Sequence, residues 1–168
     1  MQSEIHQALV EEFNRRVFRE SIPRIKKCLN VLSEDEIWQS PGATLSSIGN
    51  LVLHLCGNAR QWICSGLGKQ TDLRERSLEF ESGSRCSKSA LLEKLNILQK
   101  DLSIVLNHLP ESEWLNVRPV QGFRENGLSI LIHVIEHFSY HTGQISAYTK
   151  QIKSMDLGYY EGLDLNQK

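Results

Sequence analysis

Apolar residues recur at helical spacing in four long stretches of the chain. In the first stretch, residues 4–32, every third or fourth residue is apolar, and Pro23 lies within it. This period predicts an amphipathic helix. Proline lacks an amide hydrogen and clashes with the carbonyl four residues earlier, so the pattern also predicts a kink or break near Ser21.

A second helix is predicted to carry His54. Thr44 is a candidate N-cap because its hydroxyl can accept a free backbone N–H, and the helix should end near Gly66 or Gly68. The segment that follows, roughly residues 67–86, is polar and charged without a clear period. It is predicted to be a long loop, and loops of this length in compact domains are often functional or disordered.

The third and fourth helices have the clearest patterns. The third is predicted to begin after Ser87 or Ser89 and to end at Pro110. Residues 111–127 form a connector in which Asn116–Val120 is a candidate for a short extended piece. The fourth helix should run over 128–153, and its first half is apolar on nearly every side, which favours burial between neighbouring helices or against a second subunit.

These elements predict an all-α protein with the architecture of a four-helix bundle. The chain has 168 residues and no strong compositional break, so we expect one domain over 1–168. Its core should cover about 5–153, and residues 154–168, which show no period, should form a surface tail.

Composition excludes several classes of function. The formal net charge is −1 and basic residues are scattered among acidic ones, so no nucleic-acid partner is expected. No apolar run approaches the roughly 18 residues of a membrane span, and the N-terminus lacks the apolar core of a signal peptide. We therefore expect a cytoplasmic protein without a membrane partner. The four cysteines show no Cys-x-x-Cys spacing and are expected to be free thiols.

The histidines carry the candidate chemistry. His137 and His141 are four residues apart on the fourth helix, which places their Cβ atoms about 5–6 Å apart on one face. His54 lies in the second helix and could complete a site of three nitrogens with open coordination positions. A lone histidine on an apolar face is more often a packing residue, but each buried imidazole needs polar partners, and three of them are harder to explain in that way.

Other residues of the fourth helix leave alternatives open. His133 precedes His137 by one turn and could form a competing pair with it; the 137/141 pair is preferred because Gly143 and Gln144 follow it. Phe138 stands where the zincin pattern His-Glu-x-x-His requires glutamate, so metalloprotease chemistry is disfavoured. Glu136 could orient a ligand, or it could be an ordinary solvated carboxylate.

Two segments resemble the DinB/YfiT-like superfamily of metalloenzymes. They are Leu-His-Leu-Cys-Gly-Asn at 53–58 and Glu-His-x-x-x-His-x-Gly-Gln at 136–144. The resemblance spans about residues 5–153. Residues 74–81, Arg-Glu-Arg-Ser-Leu-Glu-Phe-Glu, are also similar to an Arg-x-Arg-Asp-x-Glu-Phe-Glu run of one DinB-like subfamily.

The resemblance implies a four-helix bundle, commonly a homodimer, with a divalent metal ion held by three histidines. Zinc and nickel are the metals it implies most often, and His54, His137 and His141 would be the ligands. Some relatives are transferases or isomerases that use a low-molecular-weight thiol. The sequence departs from the family pattern at Ser77, where aspartate is usual, and at Thr142, where arginine is frequent.

Three functions compete at this point. The first is a metal-dependent transferase, using a thiol, or a hydrolase that acts on a small-molecule substrate. The second is a non-catalytic bundle that binds a metal or small molecule, as in a stress response, and the third is a purely structural helical dimer. Gln144 and Glu136 are candidates to support the metal ligands. Arg74, Arg76 and Glu79 could act in the same way or bind substrate, because arginine suits a carboxylate group and their loop could fold over the mouth of the bundle. The alternative is an ordinary charged surface loop in which these residues pair with one another.

Overall fold

The structure is a computed structural model that describes residues 4–81, 83 and 85–167. The first long helical segment consists of α1 (Glu4–Phe13), a π-helical stretch (Asn14–Ser21) and α2 (Ile22–Val31). The N–H of Ile22 binds the carbonyl of Val17, five residues back, at the end of the π-helical stretch. The irregularity predicted from Pro23 therefore takes the form of a change from π to α geometry at Ser21, and the helical path continues through it.

A short helix, α3 (Glu34–Trp38), follows and was not predicted. It begins with a capping box in which the Ser33 hydroxyl accepts the N–H of Glu36, and the Glu36 carboxylate accepts the N–H of Ser33. The Trp38 ring packs on α4 at Gly49, where an added Cβ would lie 2.6 Å from the ring. Glycine at this position allows the close contact.

The second segment consists of α4 (Ile48–Ala59) and a second π-helical stretch (Arg60–Leu67). Its N-cap is Ser47, whose hydroxyl accepts the N–H of Asn50 at 3.1 Å. The prediction of Thr44 as the cap was therefore wrong. The segment ends at Gly68, one of the two predicted stops.

The long connection after Gly68 contains a 3₁₀ helix (Arg76–Phe80) that packs against α4. It leads to α5 (Lys88–His108), which is capped by Ser87 as predicted. Arg60 pairs with Asp101, and Gly68 approaches Val105. Moving towards the C-terminus of the second segment therefore also means moving towards the C-terminus of α5, so the two run parallel. The long connection between them must return the chain to the end of the bundle at which the second segment began.

A small hairpin precedes the last helix. Strands β1 (Arg118–Val120) and β2 (Phe123–Glu125) pair in antiparallel fashion around Gln121 and Gly122, which both have positive φ. A 3₁₀ turn (Glu111–Glu113) lies before β1. The predicted extended piece corresponds to β1, whereas its partner strand was not predicted.

The last helix, α6 (Gly127–Lys153), matches its predicted range closely and is capped by Asn126. The predicted surface tail after it is only partly correct. Leu157 is buried in the core, and the Tyr159 hydroxyl is hydrogen-bonded to Ser146 and lies 3.2 Å from the thiol of Cys28. The start of this segment therefore packs against the bundle.

The core lies between the four long segments and is almost entirely apolar. Its largest fully buried side chains include Phe13, Ile22, Ile25, Leu29, Leu55, Ile63, Leu91, Trp114 and Phe138. The cysteines are free thiols, as predicted. In the described part of the chain, no helix combines the length and the hydropathy that crossing a bilayer requires.

Candidate metal centre

Three histidines meet between α4 and α6. The Nε2 atom of His137 lies 3.0 Å from Nε2 of His54 and 3.0 Å from Nε2 of His141. One ring nitrogen from each residue lies within 4.8 Å of the other two. Ligand nitrogens around a tetrahedral zinc ion are about 3.3 Å apart, given zinc–nitrogen distances of about 2.0–2.1 Å. The two separations that involve His137 are thus close to what one ion would need, and the third nitrogen pair lies within 4.8 Å.

The pairing of α4 with α6 produces this convergence. His137 and His141 are one helical turn apart and present both rings on the same face of α6. His54 meets this pair, and Trp62, further along the second segment, stacks on His133, which is earlier in α6. The two segments therefore run in opposite directions, and residues 83 positions apart in the sequence come into contact.

The His54 ring is fixed by a buried ion pair. Its Nδ1 lies 2.9 Å from Oε2 of Glu79, and Arg74 donates to both oxygens of the same carboxylate, at 2.6 and 2.9 Å. Burial alone would raise the pKa of Glu79, but hydrogen bonds from Arg74 and His54 outweigh it and lower the pKa. The carboxylate is therefore ionised and can only accept. Nη2 of Arg74, which can only donate, also lies 3.2 Å from Nδ1 of His54, but the carboxylate oxygen is closer. His54 therefore carries its proton on Nδ1 and presents a lone pair on Nε2.

Gly57 makes room for this arrangement. A Cβ at Gly57 would lie 2.0 Å from Oε1 of Glu79 and 3.0 Å from Nε of Arg74. The carboxylate is also held in place through its backbone, because the side chain of Asn50 donates to the carbonyl of Glu79 at 2.8 Å. The connection between the second segment and α5 thus packs on α4 and places the Glu79 carboxylate beside Nδ1 of His54.

The His141 ring has a neutral partner. Its Nδ1 lies 2.7 Å from Oε1 of Gln144, which accepts the ring N–H, so Nε2 of His141 also presents a lone pair. Burial lowers the pKa of His141, although the bond to Gln144 opposes the shift. The third ring, that of His137, has a buried Nδ1 with no hydrogen-bond partner within the described residues.

The donor set fits a divalent cation. Burial, together with the neighbouring His141 and His54, lowers the pKa of His137 to about 3, so the ring is neutral at neutral pH. Metal ligation requires neutral imidazole. Two lone pairs fixed by Glu79 and Gln144 point at Nε2 of His137. Without a metal, a proton on that nitrogen can donate to one of them, and a cation at the centre would take the place of this proton.

The other sequence candidates on α6 lie outside the cluster. The His133 ring stacks on Trp62, with 3.5 Å between ring centroids and 16° between planes. Its nitrogens do not join the three-nitrogen group found among the described residues. Glu136 is exposed and lines a separate surface cavity with Arg16 and Arg24, so the structure does not bring its carboxylate to the cluster.

Two aromatic residues and one arginine border the cluster. The Phe80 ring lies 5.2 Å from the His54 ring, and the Tyr140 ring lies 4.9 Å from the His141 ring. The guanidinium of Arg76 lies 5.1 Å above Phe80 and has no carboxylate partner among the described residues. Arg74 and Arg76 thus differ: Arg74 forms an ion pair with Glu79, whereas Arg76 contacts an aromatic ring.

A cavity of about 730 Å³ lies on the other side of the Arg74–Glu79 pair. Its lining includes both residues of the pair and the thiols of Cys56, Cys64 and Cys86, but none of the three histidines. Burial raises the pKa of Cys56 to about 12 and also raises the pKa of Cys64 and Cys86. These thiols are therefore protonated at neutral pH.

The sequence pointed to the three histidines and named Glu79 and Gln144 among several candidates to support them, but Gly57 and Phe80 were missed. A signal for Gly57 was present. It is a glycine inside an apolar helix, three residues after His54 and therefore on the same face, where close approach of another group is a common reason for glycine. Phe80 had no comparable signal, because its position depends on how the connection folds.

The fold and the site together define a helical bundle with a candidate three-histidine metal centre. The chain belongs to the DinB family, whose profile matches residues 15–165. A crystal structure of a DinB-like protein from Bacillus cereus ATCC 10987 is similar to it, with a TM-score of 0.67 and 17% sequence identity. That match covers 86% of this chain and 93% of the other, and it shows the shared fold. No curated protein matches the chain.

Proposed function

We propose that the protein binds one divalent metal ion through His54, His137 and His141 and uses it as a metal-dependent transferase or hydrolase on a small-molecule substrate. The observation that carries this proposal is the convergence of three imidazole nitrogens, two of which have lone pairs fixed by Glu79 and Gln144. One divalent cation can bind all three nitrogens at once, whereas a hydrogen bond between two rings joins only two of them.

A bound ion of this kind would lower the pKa of a coordinated water to about 7 or hold a thiol as its thiolate. The first property suits hydrolysis, and the second suits transfer of a thiol to an electrophile. In both cases the residues of the chain keep the three rings neutral and correctly oriented. Of the two, we favour the thiol-dependent transferase, because members of the wider superfamily that this chain resembles use low-molecular-weight thiols. Zinc and nickel are the proposed metals.

Arg76 is the proposed binding group for an anionic part of the substrate or thiol. It lies above Phe80, which in turn contacts His54, and its guanidinium has no carboxylate partner in the described residues. Charged hydrogen bonds contribute roughly 1.5–3 kcal/mol, so Arg76→Ala should raise KM for an acidic substrate by about tenfold or more with a small change in kcat. Arg85→Ala, which changes another exposed arginine of the same connection, is the matched control and should leave KM unchanged.

The activity is tested by a paired screen of zinc-loaded and nickel-loaded protein. One set of reactions combines low-molecular-weight thiols with electrophilic acceptors, and the other offers simple esters and amides. Turnover in the first set that is lost in His137→Ala supports a thiol transferase, and turnover in the second supports a hydrolase. If the loaded protein turns over neither set, the catalytic part of the proposal fails, and metal binding without catalysis remains.

A further inference from the structure

Two of the three proposed ligands have an oxygen acceptor behind them, and the third does not. Glu79 accepts from Nδ1 of His54, and Gln144 accepts from Nδ1 of His141. Nδ1 of His137 is buried and has no partner among the described residues. When Nε2 of a histidine binds a metal, Nδ1 carries the proton and normally donates it to an oxygen. His137 therefore lacks the contact that the other two ligands have.

A buried acceptor with no partner lies on the facing helix. Asn58 is 3% exposed, and its Oδ1 atom has no hydrogen-bond partner in the described part of the chain. It is one turn after His54 and about one turn before Trp62. His54 contacts His137, and Trp62 stacks on His133, so these two contacts bracket Asn58. Asn58 is thus placed opposite the turn of α6 between His133 and His137.

His133 does not provide the acceptor instead. Its ring is stacked on that of His137, with 5.5 Å between centroids and 19° between planes. The lone pair of an imidazole lies in the plane of the ring, so it does not point at a ring stacked above or below. Among the described residues, the amide oxygen of Asn58 is the remaining buried, unpartnered acceptor on the face of α4 that meets α6.

We propose that Asn58 is a positioning residue for His137 and accepts its Nδ1–H when Nε2 binds the metal. The proposal rests on the proposed metal centre. No direct bond joins the two atoms in the described structure, so a shift of the side chain or one bridging water completes the contact. The Nδ1–H group of each of the three ligands would then donate to an oxygen atom. For His54 this is a carboxylate oxygen, and for His137 and His141 it is an amide oxygen.

This role predicts opposite effects on metal affinity and on stability. Replacing Asn58 with leucine removes a buried carbonyl oxygen that has no partner among the described residues of the metal-free protein, so we expect the change to be neutral or stabilising. The same change removes the acceptor for His137 in the metal-bound protein. Loss of such a partner typically lowers metal affinity by about 10- to 100-fold. If Asn58 served packing alone, its replacement would lower both metal affinity and stability, or would change neither.

The test uses the full chain and Zn²⁺ as the probe, with affinity measured by competition against a chromophoric chelator. Asn58→Leu should bind zinc about 10- to 100-fold more weakly, while the urea midpoint of the metal-free protein stays equal or rises. Asn58→Asp keeps an acceptor and should restore most of the affinity. Thr142→Val is the matched control, because the Thr142 hydroxyl is another buried group on α6 without a partner in the described residues, next to His141 in the sequence. It should leave zinc affinity unchanged.

A second readout is independent of affinity. In zinc-loaded wild-type protein, NMR should show three ring Nδ1–H signals protected from exchange with water, and Asn58→Leu should lose the signal of His137 only. Unchanged affinity with all three signals retained in Asn58→Leu would overturn the proposal, and so would an equal loss in Thr142→Val. If wild-type protein binds zinc no better than His137→Ala, the metal centre itself is wrong, and that result is distinct from a failure of Asn58 alone.

Discussion

At the scale of single residues, the position of one proton on each imidazole decides what the cluster can bind. Glu79 fixes the proton of His54 on Nδ1, and Gln144 does the same for His141. The carboxylate can do this because Arg74, whose side chain is 5% exposed, keeps it ionised in a buried position. The proposed binding of a metal ion therefore depends on residues that would not contact the ion.

Glu79→Gln tests this dependence. The amide cannot accept as strongly from His54, and it leaves the buried charge of Arg74 without its counter-ion. We expect zinc affinity to fall by about 10- to 100-fold and the metal-free protein to lose stability, because an unpaired buried charge is costly. Isothermal titration and urea unfolding measure the two effects. Glu75→Gln, which changes an exposed residue of the same connection, is the control, and an equal effect there would contradict the role of Glu79.

Gly57→Ala tests the close approach of the connection to α4. Alanine is favoured over glycine in a helix by about 1 kcal/mol, but here its methyl group would collide with Oε1 of Glu79. We expect a net destabilisation of roughly 1–3 kcal/mol in urea unfolding and weaker zinc binding. Gly143→Ala is the control, because no described atom lies within 4 Å of the position that its methyl group would take, and the change should be neutral or stabilising. Increased stability of Gly57→Ala would contradict the packing described.

At the scale of elements, the sequence predicted those helix ranges and helix ends that depend on local periodicity and capping. The ranges of α5 and α6, the Ser87 cap and the stop at Gly68 agree with the helical patterns. The π-helical stretches, α3 and the β-hairpin were not predicted. Each is short or irregular, so tertiary packing rather than a repeating pattern decides its conformation.

The N-cap of α4 gives a direct comparison between prediction and structure. Ser47 accepts the N–H of Asn50, whereas Thr44 lies in a turn before the helix. We expect Ser47→Ala to cost about 1 kcal/mol in urea unfolding, because a free N–H at the start of the helix loses its partner. Thr44→Ala should have little effect. The reverse order of the two costs would contradict the assignment of the cap.

At the scale of the whole molecule, the topology brings the site together. The connection between the second segment and α5 is long enough to make these two segments parallel, and the second segment lies against α6 in the opposite direction. The histidine pair on α6 was readable from its spacing, and His54 from its setting in an apolar helix. Which carboxylate lies behind His54 was left open by the sequence, because that depends on the path of residues 69–86.

The homodimer remains a prediction at this scale. Apolar and aromatic side chains of α6, including Ile132 and Tyr140, are 45% and 64% exposed in the single chain. Burial of such a face against a second copy would remove apolar surface from water. Sedimentation equilibrium should give a mass near twice 19.2 kDa, and a mass of one chain at all concentrations would contradict the prediction.

The metal content of protein purified without an affinity tag tests the three-histidine site directly. We predict about one divalent ion per chain in the wild type, as three histidine ligands would hold, and almost none in His54→Ala, His137→Ala or His141→Ala. His133→Phe, which keeps an aromatic ring against Trp62, should retain the ion. Equal metal content in all these variants, or no ion in wild-type protein supplied with zinc or nickel, would contradict this prediction.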